Sequence, residues 1–240
     1  MLIYPAIDIR NGKCVRLTQG EFDAEKIYFD KPYEVAKIWE DKGAKILHII
    51  DLDGAIGGEP KNLSAIEKIV KSIDIPIQVG GGIRNIESIE GLMNIGVDRI
   101  ILGTKAIENR DLVIEALSLY KEKVIVGIDA KDGYVAIAGW TKTSEKKVID
   151  FAKEMETIGV KAIIYTDIAK DGMLQGPNFK STKELNDNVK IEIIASGGVS
   201  TMDDLALLSE IGVAGAIVGK ALYEGKIDLS QIKDGVIDGF

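Results

Sequence analysis

Two aspartates 121 residues apart close two similar apolar runs, Asp8 in Pro5-Ala6-Ile7-Asp8 and Asp129 in Val126-Gly127-Ile128-Asp129. A carboxylate paired with a protonated carboxyl group can take a proton from carbon and deliver another to oxygen. Glycine-rich turns accompany the pair, at residues 80–82, at Gly103 and Thr104, at residues 196–198, and at Gly219 and Lys220. Each ends an apolar run and precedes a helical pattern, so backbone N–H groups and a helix N-terminus can converge on an anion. Two acids set between two phosphate cradles imply an elongated substrate carrying two phosphates, with its reacting centre between the carboxyls.

The elements that must position these residues come in two copies. The segment IPIQVGGGIRNIESIEGLMNIGVDRIILGT (75–104) aligns without gaps on IEIIASGGVSTMDDLALLSEIGVAGAIVGK (191–220). The alignment places Gly81 on Gly197, Gly82 on Gly198 and Gly103 on Gly219, each pair 116 residues apart. Asp51 and Asp167, and Asn62 and Asn178, share that spacing, which reads as a tandem duplication of a half-length unit. The wider spacing of Asp8 and Asp129 puts five additional residues between Gly12 and Gly43. Residues 18–31 are therefore expected to form an enlarged first loop, a lid over the site. Their counterpart, residues 131–143, carries Trp140 near its tip.

Apolar, β-branched runs recur at 2–9, 46–50, 75–79, 99–102, 124–128, 162–165, 191–195 and 215–218, with helical patterns between them such as 32–42, 64–72 and 146–158. Strands apolar on both faces, alternating with helices, build a parallel sheet covered on both sides. Eight such units of about 30 residues match a (β/α)8 TIM barrel. We expect one domain over residues 1–240, made of half-barrels at about 1–120 and 121–240. In that fold the strand ends carry function, which adds Asp51 and Thr166 to the candidates.

The formal net charge of −8 argues against a nucleic-acid or anionic-membrane surface. It also leaves phosphate attraction to local amides and a few cations. Cys14 is the only cysteine, so there is no disulfide framework and no thiolate metal site, and a reducing, cytoplasmic setting is expected. The opening residues are charged too early for a signal peptide, and no apolar run approaches the roughly 18 residues of a membrane helix.

PAIDIRNGKCVRL, LHIIDLDGA, QVGGGIR, ILGTKA, GIDAKDGYVAIAGW, YTDIAKDGMLQGPN, ASGGVS and IVGKALYEG together run the length of the chain. In these segments the sequence resembles the phosphoribosylformimino-aminoimidazole-carboxamide ribotide isomerase family of histidine biosynthesis. The resemblance implies a barrel of the ribulose-phosphate-binding type that performs an Amadori rearrangement. An aminoaldose ring of a bisphosphate nucleotide opens and isomerises to an aminoketose, with no metal or organic cofactor; a monomer is expected. General base and general acid then fall on Asp8 and Asp129. Substrate contacts fall on Arg16, Asp51, Arg84, Trp140, Thr166 and Asp171, with Trp140 stacking on the planar base. An ordinary aspartate pKa of about 3.9 would suit Asp8. Asp129 must instead be raised, by apolar surroundings or by the charge of Asp8 and the phosphates, with Thr166 orienting it.

Neighbouring readings are weighed against this one. A cyclase barrel of the same pathway, partnered with a glutaminase, also has two strand-end aspartates, but its opening run differs from PAIDIRNGKCVRL. A non-enzymatic phosphate-binding scaffold would have no reason to keep two facing carboxyls. A member of the family that also isomerises phosphoribosylanthranilate stays open, although the dedicated enzyme for that reaction carries a cysteine where Asp8 stands. His48, the only histidine, lies inside a strand run and is expected to be packed or hydrogen-bonded rather than catalytic. Cys14 is expected to be a small buried filler.

Overall fold

The computed structural model describes residues 1–18, 21–137, 139–232, 235 and 237, and the backbone alone over 17–18 and 21–25. The first half of the chain forms β1 (Leu2–Arg10), β2 (Lys13–Thr18), β3 (Glu21–Phe29), β4 (Leu47–Asp51), β5 (Ile77–Gly80) and β6 (Arg99–Leu102). The second half forms β7 (Val124–Lys131), β8 (Tyr134–Ile137), β9 (Lys142–Lys147), β10 (Ala162–Asp167), β11 (Glu192–Ser196) and β12 (Gly215–Val218). Among the described residues, β1, β4, β5, β6, β7, β10, β11 and β12 pair in parallel and close on themselves through β7–β10 and β1–β12. This is the expected (β/α)8 TIM barrel. Each half repeats one plan, a barrel strand prolonged into an antiparallel hairpin and then three simple barrel strands, so the duplication is visible in the topology.

The enlarged first loop is largely strand: β2 runs back along β1 and β3 along β2. Likewise β8 and β9 fold back from β7 over much of 131–143. Polar, alternating sequence there satisfies its backbone groups by pairing with the prolonged barrel strand. The tip residues Gln19, Gly20 and Ala138 lie outside the described residues.

Strand parity sorts the core. Side chains alternate between faces, so one set fills the barrel and the other meets the helices. Leu2, Tyr4 and Ala6 of β1, Ile125 of β7, Ala162 and Ile164 of β10, and Ile217 of β12 form the inner cluster. Ile3, Ile7, Ile9, Val126, Ile128, Ile163 and Val218 belong to the outer one, packed beneath the helices. Continuing the inner count by two places Asp8, Asp129 and Thr166 at the carboxyl-end mouth.

The helices following two of the glycine turns have defined starts. Asn85 caps the helix Ile86–Asn94 through the N–H of Ser88, and Thr201 with Asp204 forms a capping box on Met202–Ile211. These caps fix where each turn stops and its helix begins.

Candidate active site

At the carboxyl ends of the barrel strands a cavity of about 400 Å³ opens. Every residue singled out from the sequence as a site candidate lines it except Asp51. The ring order explains the arrangement. β1 and β7 are four strands apart around the eight-stranded ring, so Asp8 and Asp129 face each other across the mouth. The turns after β5 and β6 stand opposite those after β11 and β12, between the two acids on either side of the ring.

Each acid is held by a side chain from its own hairpin. Arg16 on β2 donates through Nη1 to Asp8 Oδ2 at 2.7 Å, and both side chains are largely buried. Trp140, between β8 and β9, donates its indole N–H to Asp129 Oδ2 at 2.7 Å. Thr166 of β10 is the register partner of Asp129 on β7 and also pulls its carboxyl down. Trp140 holds this position at φ +71°, a left-handed conformation that costs a bulky residue on the order of 1–2 kcal/mol.

The electrostatics depart from expectation at Asp8. Burial pushes its carboxyl up to about 6, against the pull of Arg16 and with a further push from Asp171. Asp8 is therefore tuned, because it sits in the barrel mouth rather than in solvent. Asp129 is also raised, chiefly by burial; Trp140 and Thr166 oppose the rise and the charge of Asp171 adds to it. Asp171, rather than Asp8, is thus the carboxylate that pushes on Asp129. Asp171 is itself raised by burial, with Arg16 and Lys220 opposing.

The glycine turns are built twice by one device. Gly81, Gly82, Gly197 and Gly198 all have left-handed φ, between +77° and +105°. A Cβ on Gly82 would stand 2.6 Å from the Gly54 carbonyl oxygen, and one on Gly198 would stand 2.5 Å from that of Gly176. Gly81 and Gly197 press in the same way on the carbonyls of Asp51 and Asp167. Glycine is thus required by the protein's own backbone before any ligand arrives. Gly103 differs, since its missing side chain faces open space. Gly219 lies under the guanidinium of Arg16, whose buried Nε has no partner among the described residues. Lys220 Nζ donates to the Gly172 carbonyl at 3.0 Å.

Asp51 is fully buried outside the cavity and accepts from the N–H groups of Gly54, Lys61 and Asn62 and from the Asn62 side chain, at 2.6–2.8 Å. On β4 it shares the parity of Leu47 and Ile49 in the outer cluster, so it points away from the mouth. Asp167, its repeat partner, is tied to Asn178 at 2.7 Å. The same count finds Gly127 on β7, which was passed over; with His48 on β4 and Ser196 on β11 it has inward parity and lines the cavity. Cys14 is buried 3.2 Å from the Tyr223 hydroxyl, with its thiol pushed up to about 11 by burial, as suits a filler.

Among the described residues there is no group of three or more histidine, cysteine or acidic side chains placed to hold a metal ion, and no helix long and apolar enough to cross a membrane.

The family model described as histidine biosynthesis protein matches residues 2–228. A 1-(5-phosphoribosyl)-5-((5-phosphoribosylamino)methylideneamino) imidazole-4-carboxamide isomerase of Alkaliphilus metalliredigens is 57% identical over 233 residues, covering 97% of this chain and 98% of the relative. Isomerases of the same name from Ruminiclostridium cellulolyticum and Acetivibrio thermocellus are 53% and 54% identical, each covering 96% of this chain and 98% of the relative. Similarity of this extent, over nearly the whole of both chains, places this protein in the histidine biosynthesis protein family.

Proposed function

We propose that the chain isomerises the phosphoribosylformimino-aminoimidazole-carboxamide ribonucleotide, an aldose-to-ketose rearrangement in histidine biosynthesis. The observation that carries this reading is the facing pair of buried carboxyls, Asp8 and Asp129, between two opposed pairs of glycine turns. The near full-length likeness to isomerases of that name supports it over the cyclase reading.

In this reading Gly81, Gly82, Gly103 and Thr104 hold one phosphate, with Arg84 beside them. Gly197, Gly198, Gly219 and Lys220 hold the other, and Arg16 lies against that cradle. Asp129 protonates the ring oxygen as the aminoaldose opens. Asp8 then removes the proton from the sugar C2′, and the resulting enol becomes the ketone as C1′ takes back the proton held by Asp8 and the enol hydroxyl returns one to Asp129. The two acids need opposite protonation states; before substrate arrives burial raises both carboxyls, while their partners Arg16 and Trp140 pull both down. Arg16 favours the carboxylate of Asp8. The Trp140 hydrogen bond lowers the pKa of Asp129, so drawing the indole onto the substrate's planar base would raise it and arm the acid.

The test is an isomerase assay on the purified chain with the imidazole carboxamide substrate, run beside phosphoribosylanthranilate. Turnover of the first is expected. An active site that leaves the first substrate unchanged overturns the reading, and the second arm decides whether tryptophan-pathway chemistry is shared.

A further inference from the structure

His48 is packed and hydrogen-bonded as expected, and it also stands in the cavity wall. β4 carries it on the inward parity of Ile46 and Ile50, beside β1, where it pairs in register with Ala6. On its other side its register partner is Gln78 of β5, and Gln78 Nε2 lies 2.9 Å from His48 Nδ1. Gln78 is wholly buried. Its Oε1 has no partner among the described residues. An amide NH2 group that faces a ring nitrogen can only donate to it. Gln78 therefore donates and Nδ1 accepts, so the ring proton sits on Nε2. Burial and the nearby Arg16 charge push the imidazolium down to about 3, which keeps the ring neutral. The outcome is a rigid, uncharged N–H donor one strand away from Asp8.

We infer that His48 is a further catalytic residue, its Nε2–H donating to the oxygen of the opened sugar that becomes the ketone, and that Gln78 is the positioning residue that fixes its tautomer. The inference rests on the isomerase reading above. Negative charge grows on that oxygen as the hydroxyl loses its proton, and a preorganised donor stabilises it without reorganisation. A neutral donor suits the task because it does not quench the carboxylate of Asp8. No proton is transferred to or from the ring.

A single histidine makes the test direct. In the intact 15N-histidine-labelled chain, long-range 1H–15N spectra report one imidazole. The Nε2–H tautomer is expected at neutral pH, and saturation with the ketose product should move the Nε2 resonance more than that of Nδ1. His48→Leu should lower kcat about a hundredfold, in line with loss of one such donor, with KM within a few-fold. His48→Gln, which restores an N–H, should recover part of that loss. Gln78→Leu should let the Nδ1–H tautomer appear and lower kcat less than His48→Leu does. An Nδ1–H tautomer in the parent, an Nε2 resonance unmoved by product, or a folded His48→Leu chain with parental kcat would each overturn the inference. The spectra answer even if His48→Leu does not fold. A parent chain that fails to turn over substrate is a different result, which overturns the isomerase reading instead.

Discussion

Asp8 and Asp129 reach one cavity by the same count of two along their strands, yet they are held differently. Arg16 grips one with a charge and Trp140 the other with a neutral N–H. Asp8→Asn and Asp129→Asn should each lower kcat by about 10²–10⁴-fold, the usual contribution of a positioned acid or base, with KM within a few-fold. Only Asp129→Asn should be partly rescued by a substrate whose ring is already open. Steady-state kinetics on both substrates decide this, and an Asp8→Asn enzyme with near-parental kcat would remove the base. The raised pKa of Asp8 also sets a pH limb. A base works ionised, so kcat/KM should fall as the pH drops through about 6, where Asp8 becomes protonated. A pH profile that stays flat down to about 4 would mean that burial is not felt. Trp140 should report ligand by fluorescence in a Trp39→Phe background, and emission indifferent to saturating bisphosphate would count against its release from Asp129.

At the scale of elements, each cradle stands on the backbone of the preceding strand's loop. Gly82 and Gly198 combine left-handed φ with carbonyl oxygens that a Cβ would strike. A larger side chain here would therefore strike the protein's own backbone as well as exclude an anion. Gly82→Ala and Gly198→Ala should lose stability, by about 1–3 kcal/mol for the strained backbone, as well as raise KM. Urea unfolding beside kinetics separates the two effects; unchanged stability would show that the turn relaxes freely. The Asp51 and Asn62 network belongs to the same scale. Besides holding Asp51, Asn62 accepts from the Gly12 N–H at 2.9 Å, tying the β1–β2 turn to the first cradle. Its repeat partner Asn178 spends that oxygen on capping a helix, at Ser181.

For the whole molecule, the mouth is a cost that the rest of the barrel offsets. Asp8, Asp129 and Asp171 are all raised above the ordinary carboxylate range. The folded chain therefore binds more protons than the unfolded chain in the window from about pH 4 to 6. Their contribution to stability is present in full below the unfolded pKa and is lost as the pH rises through the folded one. Asp171→Asn removes one of the three charges and should raise Tm at about pH 7.5 by more than at about pH 4. An equal effect at both values would place the change in packing instead. The inner cluster supplies the offset, and Ile217→Ala within it should cost about 2–5 kcal/mol.

The alternation that makes Asp8 and Asp129 mouth residues is local, as are the glycine turns and the 116-residue offset, so all were legible in the sequence. They follow from backbone sterics and a two-residue period, which act over a few positions. The outward parity of Asp51 and the inward parity of His48 were legible by the same count, and were missed because strand ends were read without it. Closure of the ring decided the rest. It brought Asp171 beside Asp8 and Asp129, set Gln78 against His48, and folded β2 back along β1 and β3 along β2. Desolvation and Coulomb terms depend on what lies within a few ångströms in space, and those neighbours come from strands tens to more than a hundred residues away. The tuned pKa of Asp8 and the tautomer of His48 are therefore properties of the folded barrel.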